Sequence, residues 1–311
     1  MATPALRLRG LGKDYGDRIA VGAIDLDVSP GECLGLLGPN GAGKTTTISM
    51  ACGIITPTRG TVEIAGIDLA RDPYGAKAKL GVVPQELALY DELPARANLR
   101  YFGGLYGLRG KNLATQIERA LEIAGLSDRA REPVRQFSGG MKRRLNLVAG
   151  LLHHPDVLVL DEPSVGVDPQ SRHHIFETVR GLRAGGTTII YTSHYLEEVE
   201  ALCDRVAIMD QGRLIATGTI RELVSHCAGD RIVIVLAGPQ NTIEAAATAA
   251  AALGDLDRDG TTLRLRWTGP LAPVIAAIEG TGAEIQRVDA RPASLEAAFL
   301  TLTGHALRDT H

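Results

Sequence analysis

The octapeptide GPNGAGKT, Gly38 to Thr45, limits what this chain can be more than any other part of it. It fits the pattern G-x-x-x-x-G-K-[ST], and it lies between the apolar run CLGLL and a stretch that reads as a helix, the strand-loop-helix setting in which the pattern has meaning. The glycines let successive backbone N–H groups wrap phosphates, the Lys44 ammonium neutralises β- and γ-oxygens, and the Thr45 hydroxyl can ligate Mg²⁺.

Three further apolar runs stop abruptly on a polar residue: LGVVP before Gln85, VLVL before Asp161 and TTIIYTS before His194. Continuous apolar runs of that length predict strands covered on both faces, as in a parallel sheet between helices. Ligands collect beyond the C-terminal ends of such strands, so the polar stops are expected along one edge, beside the phosphate loop. There Asp161 can hold the metal directly or through water, and Glu162 can orient or deprotonate an attacking water. Gln85 and His194 are placed by the same logic as metal and γ-phosphate contacts.

Between Gln85 and Asp161 the pattern changes to helical periodicity, in PARANLRYFGGLYGL and NLATQIERALEIAGL, which predicts a helical insertion apart from the sheet. Within it, QFSGGMKRRL opens a helix with Ser138 as N-cap, and Met141, Leu145, Val148 and Leu152 form an apolar face that runs until Pro155. Gly139 and Gly140 let another molecule approach unpaired N–H groups, so this helix start attracts an anion too. It serves either a different anion or the nucleotide of another copy of the chain.

Near the front, LRLRGLGKDYG, IDLDVSPGE and TVEIAG alternate and break at turn residues, as does RVAIMDQGRLIATG further on, which predicts antiparallel strands. After about residue 225 a strand-helix order repeats three times: RIVIVLAG, a helix from Ile243 to Leu253, TTLRLRW, a helix near Ala272 to Ile278, AEIQRVD and a last helix from Ser294. This predicts a small α/β appendage. Hydrophobic content of 45% with 22% charge over 311 residues is that of a globular protein of two domains, and a formal net charge of −3 gives no case for nucleic acid as a partner. The N-terminus has no signal-peptide core and no apolar run is long enough to span a bilayer, so the chain is expected in the cytosol. Cys33, Cys52, Cys203 and Cys227 have no metal or redox spacing and are expected as reduced, packed thiols. The pairs His153-His154 and His173-His174 cannot present same-face ligands and are read as packed or solvated.

The order Gly38 to Thr46, Gln85, SGGM, LDEP, VGVD ending at Asp168, and His194 resembles the ATPase subunits of ATP-binding-cassette (ABC) transporters over residues 6 to about 220. The resemblance implies a P-loop NTPase domain (1–225) with a parallel core sheet, an antiparallel β subdomain and a helical subdomain at about 88–153, followed by a C-terminal accessory α/β domain (226–311). It implies ATP and Mg²⁺ as cofactors. Nucleotide contacts would come from Tyr15, the aromatic that stacks on adenine, from Gly38, Pro39, Asn40, Gly41, Ala42, Gly43, Lys44, Thr45 and Thr46, and from Gln85. Metal contacts would come from Thr45, Gln85 and Asp161, and catalysis from Glu162, His194 and Lys44. Ser138, Gly139 and Gly140 would contact the γ-phosphate held by the opposite subunit of a head-to-tail dimer, with Asp168 between the two sites. Met141 departs from the family's commonest signature, which has glutamine there; the phosphate contacts come mainly from the serine and the backbone, so activity is expected to survive. Met141, DEPSVGVDPQSR and the tail RPASLEAAFLTLTGHALRD are similar to ATPases of exporters for daunorubicin resistance, sodium extrusion and nodulation-factor export. That implies a separate integral membrane permease of the ABC-2 type, at the inner face of the cell membrane. The rival readings are a soluble cassette protein of translation or DNA repair, which would normally carry two cassettes or coiled-coil arms, and a kinase or GTPase, against which the SGGM segment and the missing N-K-x-D count.

Overall fold

The computed structural model describes residues 3–227, 231–267, 269–291 and 294–304. The first two residues, parts of the exporter-like tail and the side chain of Cys227 lie outside the described residues. The chain divides into two compact units between Thr219 and Ile220. The boundary expected at residue 225 falls inside a helix, Ile220–Cys227, which belongs to the second unit.

The first unit is built on a six-stranded sheet in the order Arg213–Thr219, Arg205–Asp210, Cys33–Leu37, Thr188–Thr192, Val157–Asp161, Leu80–Val83. All pairs are parallel except the edge hairpin between Arg205–Asp210 and Arg213–Thr219. The central strands read as solid apolar runs because both their faces are covered: every residue of Cys33–Leu37 and of Thr188–Thr192 is buried. The hairpin is antiparallel, as its alternation predicts, while its first strand pairs in parallel with Cys33–Leu37 and so extends the core sheet. Alternation predicts a strand and a hairpin turn; it does not say which sheet the strand joins.

A separate four-stranded antiparallel sheet, in the order Arg18–Val28, Leu6–Tyr15, Arg59–Ile64, Ile67–Asp68, carries the front of the chain. The predicted helical insertion forms Ala95–Leu105, Gly110–Ala124 and Gly139–Ala149. Gly110–Ala124 buries Ile117, Ala120, Leu121 and Ala124 on one stripe and ends on Gly125 in the left-handed conformation, φ 62°.

The second unit has strands Arg231–Ala237, Leu256–Asp259, Thr262–Arg266 and Glu284–Arg291, all antiparallel, with helices Gln240–Ala251 and Leu271–Glu279 packed through Ile243, Ala246, Ala250, Val274 and Ile278. Numbered within the unit, the sheet order is 2-3-1-4 over a β-α-β-β-α-β chain, the split-βαβ arrangement. Leu256–Asp259 is one strand more than the sequence predicted. Its LDRD has no apolar alternation because only Leu256 is even half-buried.

Candidate active site

The buried strand Cys33–Leu37 delivers the chain to Gly38, where a side chain cannot fit: a Cβ there would lie 2.5 Å from the Met209 carbonyl oxygen and 2.9 Å from the Ala42 methyl. Gly43 has φ 98°, a value open to glycine, and turns the loop into the helix Lys44–Ala51. That helix has no side-chain cap and no acid in its first turn, so its first N–H groups are left for an anion. Lys44 Nζ donates to the carbonyls of Gly38 at 2.6 Å and Pro39 at 3.1 Å, folded back across the loop. Burial draws the Lys44 pKa down, against the opposing charges of Glu162 and Asp161.

A cleft of about 870 Å³ opens above this loop, walled by Asn40–Thr46 and by Gln85, Asp161, Glu162 and His194. Its size is that of a ligand pocket, ~300–1,000 Å³. Four strand ends therefore meet where the polar stops were expected. Glu162 lies at their centre: Gln85 Nε2 donates to its Oε2 at 2.9 Å, and His194 Nδ1 is 3.3 Å from its Oε1. Its backbone has φ 47°, uncommon for a residue with a side chain, and is held on both sides. Thr192 Oγ1 accepts from the Glu162 N–H at 2.9 Å and donates to Asp161 Oδ1 at 2.6 Å, so one threonine orders both carboxylate residues. A second cavity, of about 530 Å³, opens near Pro155, Leu182 and Thr188 on the same unit and contains none of the site residues named from the sequence.

Ser138, Gly139, Gly140 and Asp168 do not line this cleft. Ser138 is exposed at the N-cap of Gly139–Ala149, and its Oγ accepts from the Met141 N–H at 3.3 Å. Gly139 faces open space, whereas a Cβ on Gly140 would lie 2.6 Å from Ser171 Cβ and 2.7 Å from Asp168 Oδ2. Asp168 itself caps the helix Pro169–Ala184 by accepting from the Ser171 N–H at 2.9 Å, a bond that lowers its pKa. The Met141 sulfur accepts from Arg129 Nη1 at 3.3 Å, so the side chain at this departure from the signature is engaged within its own subdomain. Tyr15 is half exposed with Lys13 Nζ 5.2 Å from its ring centre, and it stands outside the cleft wall, which at that side is made by Arg18, Ile19 and Ala20.

Four contributors escaped the sequence. Thr192 hides inside an apolar strand. Arg143, 4% exposed, donates to the carbonyls of Gln85 at 2.5 Å, Pro163 at 2.7 Å, Pro84 at 3.3 Å and Asp161 at 3.4 Å, and to that of Glu162. In the sequence it is the middle of a Lys-Arg-Arg run, which reads as a solvated face. Glu198, 2% exposed, accepts from Ser164 at 2.7 Å, Ser193 at 2.8 Å and Tyr191 at 3.0 Å, tying the loop after Glu162 to the residue before His194. Gln211 follows a strand end in the same manner as Gln85, a signal that was available.

A phosphate-wrapping loop, a lysine and carboxylates at adjacent parallel strand ends define the class as a P-loop nucleoside-triphosphatase. Residues 21–165 match the family model described as ABC transporter. The linearmycin resistance ATP-binding protein LnrL of Bacillus subtilis (strain 168) is 41% identical over 98% of this chain and 100% of its own length. The Nod factor export ATP-binding protein I of Cupriavidus metallidurans is 41% identical over 99% of this chain and 100% of its own. A solved structure, of the ATP-binding subunit of an ABC transporter, superposes with a TM-score of 0.67 at 31% identity, over 72% of this chain and 93% of that one. The chain belongs to the ABC transporter family, as an ATP-binding subunit that hydrolyses ATP.

Proposed function

We propose that the chain is the motor of an exporter, and that two copies, or one copy and a close relative, close head to tail around two ATP molecules. The observation that carries this reading is the separation of the two anion-attracting elements: Ser138 and Gly139 are exposed and lie outside the cleft of their own chain, so they are free to meet the phosphates of another. In each composite site Lys44 and the loop N–H groups hold the β- and γ-phosphates, and Glu162 takes a proton from the attacking water while His194 steadies the γ-phosphate. The hydroxyl of Thr45, the carboxylate of Asp161 and the carboxamide oxygen of Gln85 are hard donors, their residues all line the cleft, and they would suit Mg²⁺, which would supply charge neutralisation at the phosphates. Asp168 stands between the sites. Tyr15 stacks on adenine once nucleotide brings it to the cleft edge.

No described helix is long and apolar enough to cross a membrane. The partner in this reading is a separate membrane permease. The exposed Leu87, Tyr90 and Leu93, just after Gln85, with Tyr101 packed edge-on against Tyr90, offer it an apolar docking surface at the inner membrane face. Relatives named for resistance and export favour outward transport over a role in translation or DNA repair. The second unit, from about residue 220, acts as an accessory domain.

Mixing two inactive variants tests the composite site. Ser138→Arg keeps its loop and Lys44→Ala keeps its helix start, so the mixture regains one whole site per mixed dimer. ATPase activity should return to about a quarter of the parent's, half the dimers being mixed and half their sites whole; a mixture as inactive as its components refutes the proposal.

A further inference from the structure

Arg143 is a buried cation surrounded by carbonyl oxygens, and a guanidinium at 4% exposure persists only when its donors are used. Its acceptors are not scattered. They are the carbonyls of Pro84 and Gln85, at the end of Leu80–Val83, and of Asp161, Glu162 and Pro163, at the end of Val157–Asp161. These two strands are neighbours in the sheet, and the side chains they deliver, Gln85 and Glu162, meet at 2.9 Å. Arg143 therefore grips both sides of the general base, and it holds the Glu162 carbonyl while Thr192 holds the Glu162 N–H in its left-handed conformation.

The same helix begins at Ser138. Five residue steps along the α-helix, at ~1.5 Å each, take the chain from the exposed cap to the buried clamp, and a helix transmits a shift of its end with little loss. In the dimer proposed above, on which this step rests, the cap of one chain touches the ATP held by its partner, whereas the clamp acts on the base of its own site. We propose that Arg143 is a positioning residue that links the two sites: nucleotide held in the partner's loop seats the helix start, and Arg143 then sets Gln85 and Glu162 for hydrolysis in its own chain. Lysine cannot replace it, because a point ammonium on a flexible stem cannot reach five carbonyls in a fixed fork.

The test is a double-variant cycle in mixed dimers assembled from two differently tagged full-length chains. With an intact partner, Arg143→Lys should lower hydrolysis in its own site at least ~10-fold, within the usual range of coupling between sites. With a Lys44→Ala partner, which leaves the helix start of the first chain without nucleotide, the same substitution should cost only about 2-fold, since the link it breaks carries no signal. An equal loss opposite both partners overturns the proposal, because a purely local role is blind to the partner's nucleotide. A second measurement needs no change at Arg143. In a Lys44→Ala chain paired with an intact one, ATP should slow amide exchange at Gln85, Glu86, Asp161, Glu162 and Ser164 of the Lys44→Ala chain, and unchanged exchange there also overturns the proposal. If Ser138→Arg and Lys44→Ala fail to complement one another, the dimer reading falls with it; if they complement and the losses are equal, the link alone fails.

Discussion

Gly139 and Gly140 are adjacent, chemically identical and expected to fail in opposite ways. An alanine methyl at Gly140 would sit 2.6 Å from Ser171 Cβ and 2.7 Å from Asp168 Oδ2, where carbon atoms require ~3.5–4.0 Å. Rotating Ser171 moves its hydroxyl but not its Cβ, so the helix start must separate from the loop that Asp168 caps. Overpacking of this kind costs about 1–3 kcal/mol. In a unit of this size each kcal/mol lowers Tm by about 2–4 °C, so Gly140→Ala should melt roughly 2–12 °C lower. A methyl at Gly139 meets nothing within 4 Å, and its φ is not positive. Relieving backbone entropy there raises stability by up to about 1 kcal/mol. In the proposed head-to-tail dimer that methyl would occupy the face offered to the partner's γ-phosphate, so ATP-dependent dimerisation should weaken at least ~10-fold, about 1.4 kcal/mol. Calorimetry and light scattering with ATP, run on both variants, separate the two effects. A Gly139→Ala protein that melts as low as Gly140→Ala, or a Gly140→Ala protein that melts with the parent, refutes the packing argument; a Gly139→Ala protein that dimerises normally refutes the anion role of this helix start.

Two further outcomes follow from buried groups. Glu198→Ala leaves the hydroxyls of Ser164, Tyr191 and Ser193 without their acceptor, at about 1–3 kcal/mol for each group left fully unpaired, so urea unfolding should show a loss of about 3 kcal/mol or more, with Glu198→Gln losing less. Burial holds the His153 pKa below its usual value, so the unfolded chain takes the proton first: stability should fall as pH drops through about 6.5 and level off once the folded form also protonates. His153→Gln should flatten that slope in melts between about pH 7.5 and 5.5, and an unaltered slope would assign it to other groups.

Much of the site was legible because its signals are local. A glycine loop with its lysine works through the backbone of consecutive residues, so GPNGAGKT carries its meaning wherever it follows a strand. Solid apolar runs ending on Gln85, Asp161 and His194 were enough to predict one sheet edge, since a parallel strand buried on both faces can show polarity only at its ends. Ser138 and the glycines after it announced a helix start for the same reason.

Distances across the chain were not legible. Apolar alternation says which face of a strand is buried but not which strand lies beside it, and so the Arg205–Thr219 hairpin joined the core sheet and polar Leu256–Asp259 went unpredicted. Arg143 and Glu198 were invisible because charge in a sequence looks the same whether water or five carbonyls surround it. Sequence alone determined the chemistry that the strand ends carry, through short-range backbone rules. Only the tertiary structure decided that Gln85 and His194 both contact Glu162 while Ser138 lies outside their cleft, because that depends on packing between segments far apart in the chain.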